Sequence, residues 1–242
     1  MKALILAGGR GKRLGKVSEG TNKCMLKVYG KPLIEYSFDA ASSLKEITEI
    51  VVVAGYRAED IINTYGNNYR GTRIRYAFQW EPHGLVDALE WASQALDGSD
   101  FMLMLGDEFM AKPRHKEMLA KFNNEKLFGV CGVIEVDNPE LISKTYTITQ
   151  DADNKITKLI EKPLKPFNKF MGSGNCVFKN ELLSFIKKTP VNLNRSEKEL
   201  PDLIQCAIEA GNTVKSFIIC EKYVNVNSTG ELDELNSYFA HL

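Results

Sequence analysis

Short apolar runs alternate with amphipathic segments over the first 110 residues of the chain. The apolar runs are too short for helices and predict strands at residues 2–7, 49–54, 73–78 and 101–105. Apolar residues recur at helical spacing between them, from Pro32 onwards and over residues 58–65 and 85–96. Strands connected by helices of this length form right-handed crossovers and a mostly parallel sheet. The pattern therefore predicts an α/β fold.

The pattern changes at about Leu127. Strand-like runs with short connections follow at residues 128–136, 145–149, 156–160 and 171–178. The remaining predicted elements are helices near 181–187 and 200–210, a strand at 214–220 and a helix at 231–241. No composition shift marks a linker, so we predict a single domain, residues 1–242, with lobes at 1–126 and 127–242.

Composition narrows the class of protein. The 31 basic and 31 acidic side chains give a formal net charge of zero, which argues against general binding to nucleic acid or to an anionic membrane. No apolar run approaches the length of about 20 residues that a membrane-spanning helix needs. Five scattered cysteines without paired spacing suit a reducing compartment. We therefore expect a cytoplasmic protein without nucleic-acid or membrane partners.

Polar clusters follow three of the predicted strands, at residues 8–15, 79–84 and 106–108. Ligands of parallel α/β sheets bind at the carboxyl ends of the strands. Because the fold brings these ends to one edge, we expect the three clusters to form a single site.

The first cluster is rich in glycine and basic residues. Gly8, Gly9 and Gly11 allow a tight turn whose N–H groups can approach an anion. From Arg10 to Lys31 there are seven basic residues and one acidic residue. This local excess indicates a polyanionic ligand, although a surface turn with solvated basic side chains is the alternative. The spacing fits neither a Walker A loop nor the dinucleotide fingerprint.

The complete segment resembles a known family. It reads Leu6-Ala7-Gly8-Gly9-Arg10-Gly11-Lys12-Arg13-Leu14, and Lys23 follows about ten residues later. It resembles the start of the nucleotidylyltransferases that join an NTP to a sugar 1-phosphate. The resemblance implies a Rossmann-like three-layer α/β/α fold, similar to that of GT-A transferases. It also implies that Arg13 and Lys23 are catalytic, and that the backbone of Leu6, Ala7, Gly8, Gly9 and Gly11 contacts the nucleotide. The neighbouring Lys27 replaces the proline that the family usually has.

Two later segments extend the resemblance. Residues 79–85 resemble the family segment in which a glutamine pairs with the base, here Gln79, and a glycine lets the base approach, here Gly84. An amide offers the donor and the acceptor that a base edge requires. By itself this segment also fits a polar loop that enters a helix. Asp107 resembles the family's magnesium ligand, and a carboxylate at a strand end suits Mg²⁺.

The second lobe carries matches to the acceptor site of the family. Glu161 and Lys162 resemble the residues that meet a sugar hydroxyl and the sugar phosphate, and Gly174 and Asn175 lie in the strand beside them. The resemblance therefore assigns residues 1–126 to the nucleotide and residues 127–242 to the acceptor.

Two positions depart from the family pattern. Asn225 stands where relatives have a second acidic metal ligand, and Asn227 is a rival for that position. Tyr146 aligns with a glycine that relatives place near the sugar. Both departures bear on the metal and on the identity of the acceptor.

The expected reaction follows from the resemblance. An NTP, with UTP or dTTP favoured, and a sugar 1-phosphate give an NDP-sugar and pyrophosphate, with Mg²⁺ as cofactor. The alternatives are a cytidylyltransferase acting on a non-sugar phosphate or phosphonate, and an inactive nucleotide-binding regulatory paralogue. Relatives often assemble as dimers or tetramers, so the resemblance also implies a homo-oligomer.

Overall fold

The computed structural model describes residues 1–11, 14–15 and 19–240. Its strands are β1 (Lys2–Ala7), β2 (Lys27–Val28), β3 (Lys31–Pro32), β4 (Glu49–Ala54), β5 (Asn68–Tyr69), β6 (Thr72–Phe78), β7 (Phe101–Leu105), β8 (Glu108–Ala111), β9 (Gly129–Glu135), β10 (Tyr146–Gln150), β11 (Ile156–Glu161), β12 (Phe170–Phe178), β13 (Val214–Ile218) and β14 (Lys222–Asn225). Its α-helices are α1 (Leu33–Ser42), α2 (Ala58–Tyr65), α3 (Leu85–Leu96), α4 (His115–Asn124), α5 (Pro139–Ile142), α6 (Leu200–Glu209) and α7 (Thr229–Ala240). Two 3₁₀ helices lie at Lys23–Met25 and Asn180–Lys188.

Eight strands form one mixed sheet, in the order β13-β9-β12-β7-β1-β4-β6-β5. β1 pairs in parallel with β4 and β7, and β4 with β6, so Leu4 lies opposite both Val51 and Leu103. β12 runs antiparallel to β7 and β9, whereas β13 is parallel to β9. Strands from both predicted lobes therefore share the sheet, and the α/β prediction is confirmed.

Helices cover both faces of this sheet. On one face Ile5 packs in a cluster with Phe38 of α1 and Phe122 of α4. On the other face Leu4 packs in a cluster with residues of α3, α6 and the 3₁₀ helix Asn180–Lys188. Strands buried on two faces explain why the runs are apolar at consecutive positions. The arrangement is the expected three-layer α/β/α fold.

Several elements differ from the sequence-based expectation. The helix expected at 181–187 is a 3₁₀ helix, in which the Leu182 N–H bonds to the Lys179 carbonyl three residues back. The predicted strand 214–220 ends at Ile218. Helix α4 and the antiparallel pair β8–β14 were not predicted. β8 and β14 are each four residues long, too short to give a periodic signal.

No helix within the described part of the chain is both long enough and apolar enough to span a membrane.

Candidate active site

The backbone after β1 meets the ends of β4 and β6 in close contact. A Cβ atom on Gly55 would lie 3.0 Å from the carbonyl oxygens of Gly8 and Gln79, and one on Gly8 would lie 3.1 Å from Gln79 Oε1. Backbone segments approach each other this closely only where side chains are absent. The predicted convergence of the first two polar clusters is therefore present in the structure.

The same turn is fixed from the other side. The carbonyl of Leu6 accepts a hydrogen bond from the Gly106 N–H at 2.9 Å, which ties the third polar cluster to β1. The carbonyl of Ala7 accepts one from Asn22 Nδ2 at 2.9 Å. Arg13, predicted to be catalytic, and the neighbouring Lys12 lie outside the described residues.

Two cavities open beside this turn. The first, named the Gln79 cavity, is lined by Gly8, Arg10, Gly55, Tyr56, Gln79 and Trp80, among others. The second, named the Lys23 cavity, is lined by Gly9, Arg10, Gly11, Lys23, Asp107 and Asn227, among others. Because Arg10 lines both cavities, they are neighbours along the glycine-rich turn.

Lys23 is held at its position by a capped 3₁₀ helix. The Asn22 side chain accepts a hydrogen bond from the Cys24 N–H at 2.9 Å, while its Nδ2 donates to two backbone carbonyls. Lys23 is buried, and its Nζ lies 2.5 Å from Asp107 Oδ2 and donates to Asn227 Oδ1 at 2.8 Å. The ammonium is therefore held at the wall of a cavity by one carboxylate and one amide.

Pairing of β8 with β14 brings the asparagines to Asp107. Asn225 lies opposite Glu108 in this pair, and the Val226 N–H donates to the Asp107 carbonyl at 3.0 Å. Asn227 Nδ2 donates to Asn225 Oδ1 at 2.8 Å. The structure thus places Asn227, the rival candidate, in contact with Lys23, whereas Asn225 lines a different cavity.

Oxygen donors at this point suit a hard divalent cation. The Asp107 carboxylate is 21% exposed, and the Asn227 amide oxygen shares the Lys23 ammonium with it. Magnesium is commonly bound by one or two carboxylates together with substrate phosphates and water. Among the described residues, no cluster of three His, Cys, Asp or Glu side chains forms a metal site. The donors therefore fit a cation shared with a ligand better than one held by protein alone.

A third cavity, named the Lys162 cavity, lies in the second lobe. It is lined by Tyr146, Glu161, Lys162, Gly174, Arg195, Glu197, Glu199 and Asn225, among others. The Lys162 N–H donates to the Thr145 carbonyl at 2.6 Å, and its Nζ lies 3.1 Å from Glu161 Oε1. Three of the residues expected to bind the acceptor, namely Glu161, Lys162 and Gly174, therefore line one cavity.

A charged cluster in this cavity was not found from the sequence. Arg195 forms ion pairs with Glu161 at 3.1 Å and with Glu199 at 2.8 Å, and also pairs with Glu197. Burial raises the pKa of Glu199 to about 7, and the nearby Glu161 carboxylate adds to that increase. Burial also raises the pKa of Glu161. In the sequence, the signal for this cluster is the close spacing of Arg195, Glu197 and Glu199.

Asn175 is placed differently from the other expected acceptor residues. It is 3% exposed and does not line the Lys162 cavity. Its Nδ2 donates to Glu108 Oε2 at 2.7 Å, and its Oδ1 lies 2.7 Å from His115 Nε2. The structure therefore places Asn175 behind Glu108 and not in the Lys162 cavity with the other three residues.

Glu108, which the sequence did not single out, lies beneath the Lys162 cavity. It accepts hydrogen bonds from the Gly174 N–H at 3.0 Å and from the Tyr223 hydroxyl at 2.5 Å. Burial raises its pKa to about 7. A Cβ atom on Gly174 would lie 2.2 Å from Leu105 Cγ, so only glycine fits there.

Tyr146 forms part of the cavity wall. Its ring lies against Gly172, and its hydroxyl donates to the Ser173 carbonyl at 3.1 Å. Because the ring is buried, it occupies space that a glycine at this position would leave open.

The Lys23 and Lys162 cavities adjoin each other. Glu197 lines both of them, and the consecutive residues Asp107 and Glu108 line one each. Two adjacent cavities, each with a lysine, can hold two anionic groups close together and reduce their repulsion. Together with the α/β sheet and the glycine-rich turn, they define an enzyme that transfers a phosphate-bearing group.

Comparison with known proteins identifies the family. A model of the nucleotidyl transferase family matches residues 2–228. The UTP–glucose-1-phosphate uridylyltransferase AglF of Haloferax volcanii is 32% identical over 234 residues, which cover 97% of this chain and 94% of that protein. The chain therefore belongs to the nucleotidyl transferase family.

Other relatives agree with this assignment. A glucose-1-phosphate thymidylyltransferase of Streptomyces griseus is 26% identical over 250 residues, covering 98% of this chain and 65% of that protein. The chain spans 60% and 54% of the lengths of two further curated relatives. The solved structure of UDP-glucose pyrophosphorylase complexed with UDP-glucose shares the fold, with a TM-score of 0.89 at 17% identity over 99% of this chain and 98% of that one. The expected resemblance to sugar-1-phosphate nucleotidylyltransferases is confirmed.

Proposed function

We propose that this protein transfers a nucleotidyl group from UTP or dTTP to a sugar 1-phosphate and releases pyrophosphate. The observation that carries the proposal is the position of Lys23, which lines one cavity with the glycine-rich turn and Asp107, directly beside the Lys162 cavity. AglF is a UTP–glucose-1-phosphate uridylyltransferase and the Streptomyces griseus relative is a glucose-1-phosphate thymidylyltransferase, which supports UTP or dTTP as the nucleotide and glucose 1-phosphate as the acceptor.

The reaction needs positioning more than proton transfer. An oxygen of the acceptor phosphate attacks the α-phosphorus of the nucleotide in line, the new P–O bond forms, and the bond to pyrophosphate breaks. The attacking oxygen is already negative at neutral pH, so no general base is needed. The protein holds the two anions in contact and offsets their repulsion.

The residues at the site have distinct roles in this proposal. The backbone of Gly9 and Gly11, with Arg13, binds the β- and γ-phosphates. Lys23 contacts the α-phosphate and the incoming phosphate. Lys162 holds the acceptor phosphate, and Glu161 accepts a hydrogen bond from a sugar hydroxyl, since both side chains line the same cavity.

The nucleoside lies in the Gln79 cavity. Gln79 contacts the base, and Gly84 leaves room beside it. Leu6, Ala7 and Gly8 supply the backbone of the turn on which the nucleotide rests.

Asp107 and Asn227 would hold Mg²⁺, because both line the Lys23 cavity, and Asn225, which accepts a hydrogen bond from Asn227, would support them from the neighbouring Lys162 cavity. When bound, the cation neutralises phosphate charge. The Lys23 ammonium lies 2.5 Å from the same carboxylate, at Asp107 Oδ2.

We also propose a single domain in which residues 1–126 bind the nucleotide and residues 127–242 bind the acceptor. The sheet that includes strands from both parts supports the single domain, and the positions of Gln79 and Lys162 in different cavities support the division of roles. Five free cysteines support a cytoplasmic protein, and the balanced charge supports the absence of nucleic-acid or membrane partners. A homo-oligomer remains part of the proposal from the family resemblance.

The alternatives are not favoured. The relatives named above are uridylyl- and thymidylyltransferases that act on glucose 1-phosphate. A regulatory protein without catalysis would not need Lys23, Asp107 and Lys162 to face two adjoining cavities.

Pyrophosphate release tests the proposal. Each common NTP is paired with a panel of sugar 1-phosphates, and with phosphonates and alcohol phosphates, in the presence of Mg²⁺. We expect the strongest signal with UTP or dTTP and one sugar 1-phosphate. Release with CTP and a non-sugar phosphate alone would support the cytidylyltransferase alternative. Nucleotide binding without pyrophosphate release on any acceptor would support the regulatory one.

A further inference from the structure

The side-chain amide of Gln79 has a fixed orientation at the floor of the Gln79 cavity. The residue is 6% exposed, and its Nε2 donates to Asp87 Oδ2 at 2.6 Å and to the Gly84 carbonyl at 3.2 Å. A carboxylate and a carbonyl only accept hydrogen bonds. A flipped amide would therefore place Oε1 against two other oxygens, which is unfavourable in a buried site.

The same contacts decide which atom faces the ligand. Gln79 Oε1 lies toward Gly8, 3.1 Å from the position of a Cβ atom there, and both residues line the cavity. Both of these hydrogen bonds are donated by Nε2, so Oε1 is the amide atom left toward the cavity. The cavity therefore presents an acceptor, because both N–H groups of the amide already have partners. From the sequence alone, the amide offers a donor as well as an acceptor; these contacts engage the donor.

We infer that Asp87 is a positioning residue that selects the nucleobase through Gln79. This inference rests on the proposed function, in which Gln79 contacts the base. Uracil and thymine present an N3–H donor to Oε1, whereas cytosine in the same place presents N3, an acceptor. Asp87 therefore sets a preference for an imide base without touching the nucleotide.

Helix α3 carries a second carboxylate that serves as a matched control for Asp87. Asp87 lies in the first turn of α3, three residues before the exposed Glu90. Asp87→Asn and Glu90→Gln each replace a carboxylate of this helix by an amide of similar size, but only Asp87 contacts Gln79. An amide at position 87 can donate or accept, so Asp87→Asn removes the shorter of the two contacts that oppose a flipped Gln79 amide and leaves only the 3.2 Å contact with the Gly84 carbonyl.

Nucleotide binding measured by calorimetry with UTP and CTP tests the inference. A buried acceptor facing another acceptor costs about 1–3 kcal/mol, so we expect wild-type protein to bind UTP about tenfold or more tightly than CTP. Asp87→Asn should bring the two affinities within about threefold of each other, while Glu90→Gln should keep the wild-type ratio. A wild-type ratio near one, or an Asp87→Asn protein that retains the preference for UTP, would overturn the inference.

A change in the ligand tests the same contact without altering the protein. Methylation of uracil N3 removes the donor, whereas methylation of C5 leaves it in place. We expect N3-methyl-UTP to bind about tenfold or more weakly than UTP and 5-methyl-UTP to bind nearly as well. Equal binding of N3-methyl-UTP and UTP would refute the role of Oε1 even if the Asp87 variant failed to fold.

These measurements need no acceptor, so they are independent of turnover. Selective binding without pyrophosphate release would contradict the proposed function alone. Turnover with equal efficiency for UTP and CTP would contradict the role of Asp87 alone.

Discussion

Replacement of Lys23 by alanine would remove the buried ammonium at the centre of the site. In the structure Lys23 Nζ contacts Asp107 Oδ2 at 2.5 Å and Asn227 Oδ1 at 2.8 Å. The substitution therefore deletes the nearest cation to Asp107 and the donor to Asn227. In the proposed reaction it also deletes the group that contacts the transferring phosphate.

The size of the effect follows from the charge of the lost group. Removing one preorganised electrostatic donor typically lowers turnover by about 10²–10³-fold, or about 3–4 kcal/mol of transition-state stabilisation. An unpaired buried polar group costs about 1–3 kcal/mol of folding stability. Asp107 is 21% exposed, so water compensates in part and we expect a cost at the low end of that range.

Initial rates of pyrophosphate release and thermal unfolding measure the two effects separately. We expect Lys23→Ala to lower kcat about a hundredfold or more. Lys27→Ala is the matched control, because Lys27 is exposed on the adjacent strand β2, and it should leave kcat within about twofold. A Lys23→Ala protein that folds and keeps kcat within about threefold of wild type would refute the role assigned to Lys23.

Three further predictions concern the Lys162 cavity. Lys162→Ala should raise the KM for the sugar 1-phosphate about tenfold or more while the Kd for UTP stays unchanged, and an equal loss of UTP affinity would contradict its assignment to the acceptor. Burial raises the pKa of Glu199 from 4.5 to about 7, so the native state binds the proton more tightly than the unfolded state and this residue makes stability fall as pH rises through that interval. Glu199→Gln should therefore raise Tm at pH 8 and leave it nearly unchanged at pH 4, and a pH-independent change in Tm would exclude this cause. Gly174→Ala should destabilise the fold by about 1–3 kcal/mol, because its Cβ would lie 2.2 Å from Leu105 Cγ. Gly230→Ala, with no atom nearer than 3.9 Å to the added Cβ, should have little effect in the same denaturant titration.

The local sequence determined most strands of the sheet and the edge of the sheet at which the candidate active site lies. The run Glu49–Ala54 forms a strand with all six residues buried, as its β-branched composition predicts. Its predicted bounds, and those of β1, α2, α3 and β7, agree with the structure. The glycine-rich turn was also predictable, because three glycines directly after a buried strand allow the backbone to turn tightly there. These features depend on residues close together in the chain, where periodicity and turn chemistry act directly.

The identity of side-chain partners required the tertiary structure. Lys23 and Asn227 are 204 positions apart, and only the pairing of β8 with β14 decides that Asn227 rather than Asn225 meets the ammonium. A shift of that pairing by one residue would turn both asparagines to the other face.

Gly174 and Asn175, two of the residues expected to bind the acceptor, show the same difference between what the sequence predicts and what the tertiary structure decides. A sequence pattern predicts that Gly174 and Asn175 share a strand, but it does not reveal that both lie where the register of β12 shifts, between Gly172 and Cys176. Asn175 therefore meets Glu108 and His115 instead of the cavity. Likewise, the sequence gives an amide side chain at position 79. Only the contact with Asp87 decides which atom of that amide faces a ligand. The sequence by itself determined the elements and the chemistry available at their ends. The packing of distant segments decided the partner and orientation of each group, because hydrogen-bond geometry depends on register and on the side of the sheet.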